Sequence, residues 1–543
     1  MNQKWTTALW LCVAGSLFFF PFLGSVHLFD WDEINFAESA REMLLTQTYS
    51  RVQIDFQPFT EKPPLFFWLQ SLSMYIFGVN EWAARFPNAV LGCIVLIILY
   101  FTGRQIKDHW LGLFWSLSFL GSLLPHLYFR SGIIDPLFNV FMFLAIIQLW
   151  SSIGQPDRYR KTQHVGLAGL YTGLAVLTKG PVGFLLIFLS FCVFWMMKKF
   201  RPVTNTRDIL VYALTTFLTT TIWYGYETYK YGWTFIEEFT RRQIEIFTTS
   251  DAGHGQPVYY HFIVLLLGCF PSSLLALKAM YHYRESEDID FKKWMLSVLL
   301  VVLIVFSAST TKILHYSSFA YYPITFFAAW YMHGQISNKK WSLGNWWIAG
   351  LLFSLIIGVM FIGIGIFPLW KSQVIPYIKD EFAAANLSAN VLWSGWEWIS
   401  GFVLLTGTTA GWWLLRKNKI KTSGWILFGS VAVSMLLFTA MIIPRIEQYT
   451  QGANIRFFKS LKGKEVYVGT AGYKSYAHLF YTDKQPQVMS AKPLEILANE
   501  DWDIPVFLSV KNIHRSRLDT LPQFTLIGEE NGFLFFVKQP KIK

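Results

Sequence analysis

Runs of about twenty mostly apolar residues recur through the first 443 positions of this chain, and that is the length one helix needs to cross the hydrocarbon core of a bilayer. They fall near 8–26, 83–103, 109–127, 133–150, 166–178, 181–197, 209–225, 258–280, 294–308, 318–335, 346–368, 396–415 and 423–443. With 543 residues, 53% of them hydrophobic, the chain is too long and too apolar for one soluble domain. The spacing predicts an all-α polytopic membrane protein of about thirteen spans. Many Trp and Tyr residues sit near the run ends, where their amphipathic rings suit the membrane interface.

The formal net charge is +12, but the basic residues form no stripe that would suit nucleic acid. Arg104 and Lys107, Arg158 to Lys161, Lys198 to Arg201, Arg284 to Lys293, Lys339 and Lys340, and Arg416 to Lys421 occupy alternate connections. The positive-inside rule makes those connections cytoplasmic, with the N-terminus inside, the C-terminus outside and the intervening loops on the outer face. Cys12, Cys93, Cys192 and Cys269 all lie in apolar runs and form neither a disulfide framework nor a metal spacing. The first run follows a weakly basic start and lacks a small-residue cleavage site, so it reads as a retained span rather than a signal peptide.

Ionised residues concentrate instead between Asp30 and Pro64, where Asp32, Glu33, Glu38, Glu61 and Lys62 follow the first run. Acids beside a membrane are costly unless paired or functional, which makes this stretch the first site candidate. Within the long outer loop 27–82, Phe36, Ala40, Met43 and Leu44 recur at helical spacing against charged positions, which predicts an amphipathic interface helix. The outer loop 226–257 repeats the pattern with Trp233, Phe235, Ile236 and Phe239. Lys179-Gly180-Pro181 predicts a tight outer turn between two spans. From 444 to 543 the apolar runs shorten to strand length, which predicts a small outer α/β domain with an Asn531-Gly532 hairpin.

Four outer segments carry the remaining chemistry: Asp32-Glu33 with Glu38, Glu61-Lys62-Pro63-Pro64, Arg130 to Pro136 with Asp135, and Lys312 to Tyr316. Carboxylates can take a proton from an attacking hydroxyl, and lysine or arginine can hold a departing phosphate. Together they suit group transfer from a lipid phosphate. Asp135 reads equally well as a helix cap, Arg241 and Arg242 as snorkelling interface residues, and His254 as a surface residue.

The motifs D-E-x-x-F-A-E-x-A-R-E-M (Asp32 to Met43), E-K-P-P (Glu61 to Pro64), F-G-x-N-E-x-x-A-R-F (Phe77 to Phe86), Asp135-Pro136, T-K-G (Thr178 to Gly180), H-G-x-P (His254 to Pro257) and K-I-L-H-Y (Lys312 to Tyr316) occur in one order over the first 330 residues. In that order they resemble the polytopic glycosyltransferases of the C class, above all the lipid A aminoarabinose transferases and the related protein mannosyltransferase superfamily. The resemblance implies Asp32 as the residue that acts as base or orients the acceptor, with Glu33 its neighbour in the motif, Glu61 near the donor head, Lys62 on the lipid phosphate and His254 in an outer-loop site for a divalent metal. Glu33 and Asp135 are further catalytic candidates, Arg241, Arg242 and Lys312 further donor-phosphate candidates, and Glu61 a second metal-ligand candidate. That family often has Arg and Tyr where this chain has Asn35 and Phe36, which leaves sugar and acceptor identity open.

The expected activity is transfer of an aminoarabinose- or hexose-type sugar from a polyprenyl-phosphate donor, with no nucleotide cofactor, since no P-loop or Rossmann fingerprint is present. The acceptor is lipid A, another envelope glycan or a protein hydroxyl, and the setting is the periplasmic face of a bacterial inner membrane. A polyprenyl-lipid or sugar transporter is the rival of another class, although the chain lacks the related halves that such proteins commonly show. The expected domains are 1–443, holding the spans and catalytic loops, and 444–543.

Overall fold

A computed structural model of the protein describes residues 3–249, 255–337, 341, 343–488 and 490–541. Each of the thirteen expected spans falls on a helix or a broken pair of helices. By length and apolarity alone, five helices among the described residues can cross a membrane, or six if the pair Tyr260–Gly268 and Ser272–Tyr281, bent by 109°, is one span. The remaining helices are shorter, interrupted or more polar than a lone span would be. The run at 166–178 is the second half of a longer helix, Arg158–Lys179, whose basic first turn is capped by Asp157 accepting the Tyr159 and Arg160 amides.

The bundle packs by close helix approach. Helices Glu81–Ile106 and His109–Leu120 meet at Gly103 and Gly112, where a Cβ on Gly112 would stand 2.2 Å from the Tyr100 carbonyl oxygen. Small residues at such crossings let backbones touch, which matters where lipid supplies no hydrophobic drive between helices. Behind this contact Trp115 is fully buried edge-on to Phe143 and Phe326.

The turn at Lys179-Gly180-Pro181 forms as expected. Gly180 adopts φ +97°, and helix Val182–Met197 starts directly after Pro181. Phe239 of the outer helix Thr234–Thr248 lies over this corner, so that a Cβ on Gly180 would meet its ring at 2.3 Å. Phe235 and Phe239 are buried there, while Trp233 on the same helix is exposed. This is the amphipathic roof that the second outer loop predicts.

Helix Asp32–Thr46 departs from the expectation of a helix with its charged face in solvent. Glu38, Arg41 and Glu42 are all buried, because the C-terminal domain covers that face. Arg41 donates to both oxygens of Glu38 (2.6 and 2.8 Å), to Asp483 (3.0 Å) and to the Lys484 carbonyl (2.9 Å). Glu42 accepts the Asp55 and Phe56 amides at 2.6 and 2.8 Å. Those two residues form the positive-φ turn of a two-stranded hairpin, β1 (Gln53–Ile54) and β2 (Gln57–Pro58), and Asp55 pairs in turn with Lys484. Glu38 and Glu42, grouped with the site candidates by the sequence, thus belong to the docking face of a segment more than 400 residues away.

That segment is a four-stranded sheet ordered β3-β4-β6-β5, with β3 (Tyr467–Ala471) parallel to β4 (Val506–Lys511) and the other neighbours antiparallel. Asn531 and Gly532, at φ 50° and 76°, turn β5 (Thr525–Glu530) into β6 (Phe533–Lys538). The short helices Ala477–Thr482 and Leu494–Asn499 lie where helical pieces were expected. β5 is an exposed edge strand without apolar alternation, which is why the sequence pattern misses it.

Arg41→Ala strands Glu38 in a buried position and removes the grip on Asp483. The expected cost is roughly 3 to 5 kcal/mol. It should appear as a lower unfolding temperature in detergent together with earlier protease cleavage between the bundle and the C-terminal domain. Wild-type resistance in that variant would mean that the domain is held elsewhere.

Candidate active site

Glu33 closes the first turn of helix Asp32–Thr46 onto the bundle. Its carboxylate accepts from Arg85 Nε (3.0 Å) and Nη2 (2.7 Å), from the Gly132 amide (2.6 Å) and from the Phe29 amide (3.0 Å). Arg85 also donates to the carbonyls of Leu23, Val26 and His27. Burial alone would raise the Glu33 pKa, but the charge and bonds of Arg85, with the two amides, hold it below the ordinary value. A carboxylate committed to four donors is poorly placed to take a substrate proton, so Glu33, one of the catalytic candidates, fixes the position of its neighbour instead.

Its neighbour Asp32 faces a cavity of about 460 Å³. His315 Nε2 lies 3.2 Å from one Asp32 oxygen and 3.7 Å from Asp135 Oδ2, so one imidazole stands between two carboxylates. The other oxygen of Asp135 takes Lys179 Nζ at 2.5 Å. Asp135 opens helix Asp135–Ser152, yet its side chain makes no capping bond; it is spent on this chain of charges. Burial would raise the Asp32 pKa, but the hydrogen bond and charge of His315, with Lys62 and Lys179, bring it down to about 2.

Lys62 lines the same cavity, held by the two prolines that follow it. Burial pulls its ammonium below the usual lysine pKa, and the like charge of Lys179 acts in the same direction, while Glu61, Asp32 and Asp135 oppose them. From the roof helix, Arg242 lies 3.5 Å from Glu61 and 3.0 Å from Glu245. The site therefore joins an ionised aspartate to three cations from a loop, a span end and a roof.

The remaining candidates separate from it. Arg241 points the other way, into a shallow groove with Ile236 and Ile244 on the outside of the roof helix. Lys312 is buried and borders a different cavity, although Ile313, His315 and Tyr316 of the same segment line this one. His254 lies outside the described residues. Among the described residues no three His, Cys, Asp or Glu side chains cluster as a metal site, and Glu61 is turned to Arg242, so no step below is routed through a metal.

Several contributors have no role assigned by the sequence reading. His315 and Lys179 stand inside the motifs K-I-L-H-Y and T-K-G, and only their meeting at Asp135 shows what they do. Lys474 and Tyr476 of the C-terminal domain also line the cavity, a contribution that no local pattern signals.

With this geometry in view, the family described as dolichyl-phosphate-mannose-protein mannosyltransferase matches residues 61–223. An undecaprenyl phosphate-α-4-amino-4-deoxy-L-arabinose arabinosyl transferase of Wigglesworthia glossinidia brevipalpis is 24% identical over 57% of this chain and 56% of its own length. A relative of the same description from Proteus mirabilis is 23% identical over 87% and 83%. The chain spans about half to two thirds of the length of the curated relatives it matches first. ArnT from Cupriavidus metallidurans, in a crystal structure bound to undecaprenyl phosphate, superposes with a TM-score of 0.81 at 15% identity, covering 99% of this chain and 98% of that one.

The chain is thus similar to the C-class aminoarabinose and protein-mannosyl transferases over part of its sequence and shares the fold of ArnT over nearly all of it. From the pattern of those transferases it departs at Asn35 and Phe36, and the structure shows the two positions behaving differently. Phe36 turns edge-on to Phe66 and Phe67 in an apolar cluster, whereas Asn35 borders the cavity with its Oδ1 buried and unpartnered.

The lowered Lys62 pKa sets a pH test. The protonated lysine is the form that attracts phosphate, so affinity for undecaprenyl phosphate should fall as pH rises through a midpoint below the ordinary lysine value of about 10.4. Above about pH 7.5 the phosphate is already a dianion and adds no change of its own. Lys62→Gln should bind more weakly and lose this limb of the profile, as read by equilibrium binding in nanodiscs. Equal affinity in wild type and Lys62→Gln would remove Lys62 from the phosphate site.

Proposed function

We propose that this protein is an integral-membrane glycosyltransferase that moves a sugar from a polyprenyl-phosphate donor to an envelope acceptor on the outer, periplasmic face of a bacterial inner membrane. The observation that carries this reading is the meeting of Asp32 with Lys62, Lys179 and Arg242 in one roofed cavity. An apolar groove of about 290 Å³ between helices Leu65–Phe77 and Glu81–Ile106 supports it, since Leu137, two residues from Asp135, is among its lining and the groove offers an isoprenoid chain an apolar wall. An arabinose-type sugar and lipid A are the donor group and acceptor favoured by the names of the relatives.

In this mechanism Lys62 and Lys179 hold the donor phosphate, with Arg242 reaching in from the roof helix. An acceptor oxygen beside Asp32 attacks the anomeric carbon. The bond from that carbon to the phosphate oxygen breaks, and its electron pair leaves with polyprenyl phosphate, whose charge the lysines absorb. Direct displacement inverts the anomeric carbon. The acceptor proton passes to Asp32.

A carboxylate held near pKa 2 is a weak base for an alcohol. Two of the charges that hold it there belong to Lys62 and Lys179, and the single negative charge of the donor phosphodiester offsets part of their effect. Donor binding thus raises the basicity of Asp32 as the acceptor arrives. His315 fixes the carboxylate while this happens, and Asp135 keeps both His315 and Lys179 in place.

Asp32→Asn keeps the volume and removes the proton acceptor, so transfer should fall by a factor of roughly 100 or more while undecaprenyl phosphate binding survives. The assay is transfer from undecaprenyl-phosphate aminoarabinose to lipid A by purified protein, together with mass spectrometry of envelope lipids from cells with and without the gene. Unimpaired transfer by Asp32→Asn would refute its role as base. A gene-dependent sugar increment on a protein, and not on a lipid, would move the acceptor to protein hydroxyls.

Orientation has its own test. After replacement of the four native cysteines, Thr249→Cys should react with a membrane-impermeant thiol reagent from outside and Asn418→Cys should not. The reverse pattern would place the cavity on the cytoplasmic side, against a periplasmic reaction.

A further inference from the structure

The segment after helix Asp290–Ala308 runs extended between the active-site cavity and a second cavity. It is tied to the end of the roof helix: the Thr310 amide donates to the Phe247 carbonyl (3.1 Å) and Thr311 Oγ1 donates to the Thr249 carbonyl (2.6 Å). Ile313, with His315 and Tyr316 of the short helix Leu314–Ala320 that follows, borders the active-site cavity, while Ser309, Thr310 and Lys312 border the second, of about 490 Å³, with Val258, Ile304 and Ser307.

Two polar groups of this second cavity are incompletely satisfied by the protein. Lys312 is 5% exposed, and its ammonium donates to the Ser309 carbonyl at 2.6 Å; among the described residues no carboxylate lies within ion-pair distance. Ser307, 8% exposed, has its hydroxyl buried without a hydrogen-bond partner. A buried ammonium is costly unless an anion completes it. The rim is apolar and open: Ile304, near the end of helix Asp290–Ala308, which is long and apolar enough to span, is 65% exposed, and Val258, just before helix Tyr260–Gly268, is 67% exposed.

We propose that this cavity binds the anionic headgroup of a membrane phospholipid, its phosphate on Lys312 and Ser307 and its acyl chains along Ile304 and Val258. Charge complementarity calls for an anion, and the exposed apolar rim favours one that carries its own hydrocarbon. The site is distinct from the donor cavity and does not depend on the transferase reading.

The probe is phosphatidylglycerol, counted by native mass spectrometry on the full-length protein extracted from bilayers of phosphatidylcholine with and without it. Wild type should retain one phosphatidylglycerol in preference to phosphatidylcholine, and Lys312→Gln should lose that selectivity with affinity down about tenfold or more. Ser307→Ala should weaken it less. Should Lys312→Gln fail to fold, Val258→Trp, a change at an exposed rim position, should still exclude the lipid. Retention of the selective lipid by Lys312→Gln or Val258→Trp would overturn the proposal. Displacement of the lipid by millimolar inorganic phosphate would overturn it in favour of a free-anion site.

Discussion

Ionised side chains placed beside a lipid-facing bundle survive only where each has a partner, and the pairing of Glu33 with Arg85 is where this protein meets that condition first. Arg85 gathers three carbonyls from the chain that leaves the first helix, and Glu33 gathers the amide of Phe29 just before it and that of the distant Gly132. The pair therefore fixes how the first helix, the acidic helix and the turn at Gly132 meet. Asp32 owes its position to this clamp, since it is the next residue along the same helical turn.

From Asp32 the charges run on through His315, Asp135 and Lys179, drawing on four separate elements of the fold. Each member lies within ion-pair distance of the next, so no charge of the row faces the cavity wall alone. The same arrangement makes the cavity responsive to an incoming phosphate. Its lysines help to lower the pKa of Asp32, and an anion that binds them relaxes that restraint. In the proposed mechanism donor capture and activation of the base are then coupled electrostatically.

The C-terminal domain takes part in this economy of charge. It buries the polar face of the acidic helix through Arg41, Asp483 and Lys484, and it lends Lys474 and Tyr476 to the cavity wall. A domain that reads as an appended module is thereby a structural partner of the residues that do the chemistry. The roof helix is joined to the site in a comparable way, through Phe239 over Gly180 and Arg242 beside Glu61.

Hydropathy is a property of neighbouring residues, so the positions of the thirteen helical runs, the corner at Gly180, the turn at Asn531-Gly532 and the change of composition after residue 443 were all determined by the sequence by itself. The motifs likewise marked Asp32 and Lys62, whose geometry in one cavity agrees with the reaction proposed for them. What the linear pattern left undecided is which way a charged side chain faces and what it meets. Glu33 and Asp32 are adjacent, yet one is consumed by Arg85 and the other opens on the cavity; Arg241 and Arg242, and Lys312 and Ile313, divide in the same manner. Only the tertiary structure decided these, because a side chain's role depends on its distance from partners that lie tens to hundreds of residues away in the chain, and electrostatic energy follows that distance rather than the order of residues.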